Sequence, residues 1–328
     1  MYNLSVLVCV CVLTVTSAWA QQSICTPTGF FRDGINMTAA LINPAGTVSG
    51  TVDARGCNIG IYYDHGKGTV RNADVFGANY FGVLVNGDDS AVAVDVLNSS
   101  IHDIGESPFN GTQHGVAIYY RGFGTGSASG KISANMIADY QKGGIVANGA
   151  GTNVNISDNI VKGQGRIDYI AQNGIQVGYG ASAQVMRNTV TDNAYTGLAG
   201  ASSGGILVVG GPFYDGDYTT GTQIVGNTVI NNDVGIFLSN WDSTGPPVVA
   251  TNVKVVNNTI TNDALTNLSG NGNIGYQAGV SDVGNNDKII NNTISGVGYT
   301  APGIAQTFAT PIDADTSFTN RPKVHANK

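Results

Sequence analysis

A Gly followed by alternating apolar residues recurs along most of the chain. Such fixed-period self-similarity limits the fold more than any other feature of a sequence. The copies are GIYYDHG from Gly60, GVLVNG from Gly82, GVAIYYRG from Gly115, GIVANG from Gly144, GIQVGYG from Gly174, GILVVGG from Gly205, GIFLSN from Gly235 and GYQAG from Gly275. The steps between them are 22, 33, 29, 30, 31, 30 and 40 residues, and GIAQTF from Gly303 is a candidate ninth copy. A second recurring strand opens on Asn135, Asn159, Asn188, Asn227, Asn258 and Asn292. Each repeat thus holds two or three short strands of period 2, split by Gly, Asn and Asp turns, and no stretch sustains a helical period. A flat sheet would leave open edges, whereas a coil stacked on itself pairs every strand with the copies above and below. Asn tolerates left-handed angles at a turn. Stacked in register, its amide can bond the Asn of the next coil, forming a ladder of satisfied buried polar groups.

These Gly-(Ile/Val)-x-(Val/Ala/Leu) and Asn-Thr-(Ile/Val) strands, over about residues 45–300, resemble the right-handed parallel β-helix family of secreted repeat proteins. This is the pectate-lyase-like superfamily in the broad sense. The copy at Gly275-Tyr276 departs from the pattern. The expected fold is all-β, a right-handed parallel β-helix of about eight to ten coils; the handedness also follows from the parallel crossover rule. The expected division is a signal peptide over 1–20, an N-terminal cap over 21–44, the β-helix over 45–306 and a C-terminal tail over 307–328. Phe30, Phe31, Ile35, Met37 and Leu41 are placed to cover the first coil.

Residues 1–20 combine an apolar run, Val6 to Val15, with Ala18-Trp19-Ala20, a small-x-small cleavage pattern. That run is shorter than the ~20 residues of a membrane span, and no later segment is long enough. The expected location is therefore secreted or periplasmic. Cys25 and Cys57 are the pair that remains, and an oxidising compartment favours a disulfide between them. All 37 charged residues lie after residue 20 and sum to −7, which argues against a nucleic-acid partner. No Gly-rich string carries the lysine of a phosphate loop, so a nucleotide is excluded as well. The expectation is a monomer with no membrane span.

Aligning the Gly-strands on Gly places the first and third following residues inward and the second and fourth outward. The fourth position reads Asp64, Asn86, Tyr119, Asn148, Gly178, and the strand edge adds His65, Tyr120 and Tyr179. Asp88 and Arg121 then occupy matching places in neighbouring copies, close enough to pair or to share a ligand. Loop residues Glu106, His114, Arg166, Asp168 and Tyr169, with the aromatic segment GPFYDGDY from Gly211, would flank a groove. Such a groove suits a polysaccharide, because aromatic faces stack on sugar rings while Asp, Asn and Arg bond hydroxyls or carboxylates. The resemblance points the same way, since many members of the superfamily act on polysaccharides.

Three functions compete. A lyase acting by β-elimination on an acidic glycan needs a cation at the uronate carboxylate, from Arg121 or Arg166, and a base, from His114, His65 or Tyr119. Ca²⁺ on Asp64 and Asp88 would replace the arginine. A glycoside hydrolase needs a carboxylate pair drawn from Asp64, Asp88, Glu106 and Asp168. The third reading is a non-catalytic carbohydrate-binding or structural cell-surface solenoid. Expected substrate contacts are Asp64, His65, Asn86, Tyr120, Asn148, Tyr169 and Tyr179; the catalytic candidates are Arg121, His114, Tyr119, Asp168 and Arg166.

Overall fold

The computed structural model describes residues 24–267, 275–301, 307–314, 317 and 319–328. The signal peptide expected over 1–20 lies outside the described residues, as does most of the candidate copy at Gly303. The Gly-headed segments stack into one sheet of eleven strands. It opens with an antiparallel hairpin, Thr26–Arg32 against Ile35–Ile42. From Ile35–Ile42 onward each neighbour is parallel, through Ile59–Tyr63, Phe81–Asn86, Val116–Arg121, Gly143–Asn148 and Asn173–Gly178. The stack continues through Gly204–Gly210, Val234–Asn240, Gly275–Val283 and Thr307–Asp313. A second sheet of seventeen strands closes each coil. Among the described residues, helix is confined to two short turns, Pro212–Tyr214 and Val297–Thr300.

Steric contact explains the glycine at the head of each strand. A β-carbon on Gly60, Gly82, Gly144, Gly174, Gly205, Gly235 or Gly279 would lie 2.5–2.7 Å from a carbonyl oxygen of the next coil. The same β-carbon would press on a core methyl, such as Val161 Cγ1 at 2.5 Å from Gly144. One residue further on, Ile61, Val83, Ile118, Ile145, Ile175, Ile206, Ile236 and Val280 form a fully buried column along the axis. Stacked in register, these β-branched side chains fill the coil interior, each contributing about 1.5–3 kcal/mol by its burial.

The recurring Asn forms a second column. Asn135 Nδ2 donates to Asn159 Oδ1, and the chain of amides continues through Asn188, Asn227, Asn258 and Asn292 to Asn327, each step 2.9–3.0 Å. Each Oδ1 also accepts the backbone N–H of the Asn below it, as in Asn159 N to Asn188 Oδ1 at 3.0 Å. The left-handed angle falls on the residue before the ladder, not on the ladder Asn itself. Ala134, Asp158, Arg187, Gly226, Asn257, Asn291 and Ala326 all have φ between 53° and 66°. A shorter ladder, absent from the sequence reading, runs from the Tyr140 hydroxyl through Asn193 to Asn232.

Register corrects two of the eight alignments. Val83 pairs with Ile118, so Ala117, not Gly115, stands opposite Gly82. Ile236 pairs with Val280, so Gly279, not Gly275, continues the column. The third copy is therefore displaced by two residues and the eighth by four. Val116, expected inside, lies in the outer cluster with Phe81 and Tyr119. Tyr120, expected outside, points into the coil and donates its hydroxyl to Val94 O at 2.6 Å. The segment from Thr307, expected as a tail, adds Thr307–Asp313 to the first sheet and Lys323–His325 to the second. At the other end a disulfide joins Cys25 to Cys57, tying the hairpin to the first coil.

Candidate functional site

The outer face of the Gly-strand sheet carries a cleft at each end. The N-terminal cleft, about 390 Å³, lies between the hairpin and the first coils and is lined by Phe30, Phe31, Tyr62, Asp64, His65 and Asn86, with Asp88 and Asp89 at its edge. Its polar groups are already engaged with one another. Asp64 Oδ1 accepts Asn43 Nδ2 at 2.9 Å and meets His65 Nδ1 at 2.5 Å. Asn86 Nδ2 donates to the Tyr62 hydroxyl at 3.1 Å. Burial pushes that phenol up to about 12, against the lowering effect of the Asn86 bond, so it is a neutral group. Asp88 takes Arg121 Nη2 at 2.7 Å and the Phe123 N–H at 2.8 Å.

Arg121 is the centre of this end. In register it stands opposite Asn86 and Asn148, and its length lets it reach Asp88, two residues beyond Asn86. Its guanidinium lies 4.9 Å from the Phe30 ring centre and 5.4 Å from that of Phe123. A cation between two aromatic faces and a carboxylate holds the hairpin down on the sheet. It is not a free positive charge facing solvent.

The other expected catalytic residues do not converge on it. His114 is 8% exposed, its Nε2 lies 2.6 Å from Glu106 Oε1, and its ring stacks on Tyr80 at 3.9 Å. Tyr119 packs against Phe81 in the outer apolar cluster. Arg166 lies on Ile160–Ile167, a strand of the second sheet, and lines a separate hollow with Asp192 and Asp263. Asp168 is exposed just beyond that strand. Among the expected substrate contacts, Asn148 is buried and accepts Gln176 Nε2 at 3.1 Å. Tyr169 donates to Gln164 Oε1, and Tyr179 stands 6.2 Å from the Phe123 ring in the left-handed region, φ 56°. Asp64, His65, Asn86 and Asp88 are therefore brought together, whereas His114, Arg166 and Asp168 are not. The Asp64 and Asp88 carboxylates, proposed for a metal, each have protein partners, and no group of three His, Cys, Asp or Glu side chains is arranged around a metal position among the described residues.

The C-terminal cleft, about 240 Å³, is lined by Phe237, Trp241, Tyr276, Ser281 and Asp313. Sequence reasoning found only its flank, the GPFYDGDY segment. Gly211 makes that flank possible, because a β-carbon there would sit 2.2 Å from Trp241 O. The turn Pro212–Tyr214 then carries Phe213 to 6.2 Å from Trp241, while Tyr214 bonds Ser239 at 2.8 Å. On the opposite side Phe308 stacks on Tyr276 at 5.9 Å with ring planes 8° apart. Tyr276 donates its hydroxyl to Asp313 Oδ2 at 2.7 Å, which fixes the ring. Phe213 and Phe308 remain 62% and 49% exposed, large for aromatic side chains on a sheet face. Trp241 and Phe237 are half-buried. The arrangement offers rigid rings in several orientations with a carboxylate and hydroxyls at the base, suited to a ligand with apolar faces and hydroxyl edges.

Comparison with known proteins agrees with the architecture. The model of the right-handed β-helix region matches residues 41–260. No curated protein sequence matches the chain. Among solved structures, the Dettilon tailspike protein is similar at 14% identity and a TM-score of 0.49, over 84% of this chain and 55% of the tailspike. A mutant DFA-IIIase of Arthrobacter chlorophenolicus A6 in complex with DFA-III gives 12% identity and 0.45, over 87% of this chain and 67% of that one. Tailspike protein 3 of bacteriophage CBA120 gives 12% and 0.31, over 86% and 51%. This chain thus spans about half the length of either tailspike. The in-register parallel strands and the family match over residues 41–260 show that the chain belongs to the right-handed β-helix family.

Proposed function

We propose that this chain is an exported β-helix that binds a polysaccharide along the outer face of its Gly-strand sheet, with the C-terminal aromatic cleft as the principal contact. The observation that carries this reading is a set of exposed and half-exposed rings: Phe237, Trp241 and Tyr276 line the cleft with Asp313 and Ser281, and Phe213 and Phe308 flank it against Trp241 and Tyr276. Sugar rings present C–H faces to aromatic side chains and hydroxyls to the polar base. The carboxylates at both clefts, Asp64, Asp89 and Asp313, favour a neutral glycan over a uronate chain. Elimination on an acidic glycan would need a free cation beside a free base. Arg121 is held by Asp88 and two rings, and His114 by Glu106 and Tyr80, so binding is preferred to lyase chemistry.

Trp241 is the one tryptophan left once residues 1–20 are removed. It therefore reports directly on the cleft. Titration of that chain with neutral and acidic glycans is expected to change its fluorescence saturably with the neutral ones only. New reducing ends in the same samples would add hydrolysis to the binding. Saturation by pectate or alginate with appearance of unsaturated products would replace this reading with the lyase. No response to any glycan would remove the polysaccharide assignment.

A further inference from the structure

The second sheet carries a column of its own on its outer face. Register is continuous from Lys131 through Asn155, Gln184, Gln223, Lys254 and Lys288 to Lys323, one residue per coil. The residues that follow them, such as Ile132, Ile156, Val185 and Val255, are buried in the core. The seven side chains therefore point outward. Their stacking is that of the Asn ladder, but their bonding is the opposite. Each ladder amide is bonded to the next. None of the seven outer side chains has a hydrogen bond or an ion pair among the described residues.

The column holds four cations and three amides, and no carboxylate. Lys254, Lys288 and Lys323 stand directly opposite one another in consecutive coils, about 4.8 Å apart. Like charges placed opposite one another destabilise a sheet. Acids to alternate with them are plentiful in a chain of net charge −7, yet none is used here. The next outward column, which ends in Val256, Ile290 and His325, also lacks a carboxylate. The acids that border the early coils of this face are engaged. Asp95 accepts the Lys131 N–H at 2.8 Å, and Asp158 holds Arg187 through both oxygens at 2.8 Å.

We infer that this column is a second binding surface, for an acidic polysaccharide laid along the solenoid axis. The row runs along the axis, so its occupant is extended. The lysines meet carboxylates or sulfates that recur at about the coil spacing. Asn155, Gln184 and Gln223 both donate and accept, which suits the hydroxyls between the charges; a polyphosphate has no such hydroxyls. The complementarity is local, because the net charge of the chain repels a polyanion. The surface lies on a different sheet from the aromatic cleft and does not depend on the glycan bound there.

The test follows the anisotropy of labelled polygalacturonate, dextran sulfate, unsubstituted dextran and polyphosphate with the purified chain at low salt. The two acidic glycans are expected to bind, more weakly as salt rises, and dextran is not. Replacing Lys254, Lys288 and Lys323 together by Gln should weaken both acidic glycans about tenfold or more, with circular dichroism showing that the β-helix is kept. If that variant does not fold, Lys288→Gln alone decides, with a loss of about threefold. In the free chain Lys288→Gln should raise Tm by about 1–2 °C at low salt, by relieving repulsion on both sides. Gln184→Ala with Gln223→Ala should weaken the acidic glycans and leave polyphosphate unchanged. Failure of both acidic glycans to bind at low salt, or unchanged affinity in the lysine variant, overturns the surface. Polyphosphate bound as tightly as the glycans, with the amide variant unaffected, overturns its assignment to a polysaccharide.

Discussion

The two ends of the molecule use the same strands for different purposes. At the N-terminal end the outer face is covered: the hairpin lays Phe30 over Arg121, Arg121 pairs with Asp88, and a disulfide anchors the hairpin to the first coil. The Asn ladder has not yet begun there; Ser99 occupies its place and donates its N–H to Asn135 Oδ1. At the C-terminal end the ladder runs unbroken to Asn327, and the outer face carries exposed rings. Where the coil is stabilised from within, the face is free to meet a ligand. Where it is stabilised by a lid, the polar residues that look like a site hold the lid.

The comparison can be broken at either end. Replacing Cys25 and Cys57 by Ala opens a loop closed over 32 residues. The expected loss is about 3–4 kcal/mol, seen as a lower denaturation midpoint. Asn188→Ala removes a rung that accepts the Asn159 N–H and Nδ2 and donates to Ile156 O and Asn227 Oδ1. It should cost about 3 kcal/mol, because buried partners are left unpaired. Arg121→Ala should cost about 1–2 kcal/mol by freeing the hairpin, with glycan binding unchanged. A result in which binding vanished while the melting temperature held would return Arg121 to the role of a ligand residue.

A separate effect distinguishes the C-terminal half by pH. Burial pushes the Asp233 carboxyl up to about 7, against the lowering bonds from the Ser203 and Tyr195 N–H groups. A folded-state pKa above the unfolded one, about 3.9, gives stability that is full below pH ~4 and lost as pH rises through 7. Melting temperature should therefore fall between pH 5 and 8, and Asp233→Asn should flatten that slope.

The fold was legible because its causes are local and repeated. A glycine that meets the next coil's carbonyl recurs in every copy but the third, where Ala117 takes its place, and an asparagine that bonds the next asparagine recurs from Asn135 onward. What misled was an extra glycine. Gly115 and Gly275 stand two and four residues ahead of the true column, and both head apolar strands, so spacing alone could not reject them. The slip turned Tyr120 outward on paper and hid the strand Gly275–Val283, with Tyr276 and Asp282, from the site. The clustering of Asp64, His65, Asn86 and Asp88 was readable, but their mutual pairing was not. That depends on Asn43, Phe30 and Tyr62, which register and the hairpin bring in from other strands.

The central claim is that the glycan meets the C-terminal rings and not the N-terminal cleft. One paired titration tests it, reading Trp241 fluorescence for the unaltered chain, for Phe213→Ala with Phe308→Ala, and for Asp64→Ala with His65→Ala. The account predicts a tenfold or greater loss of affinity in the ring variant, about 1.4 kcal/mol, and less than a twofold change in the other. A loss confined to the Asp64 and His65 variant, with the ring variant binding normally, would contradict it.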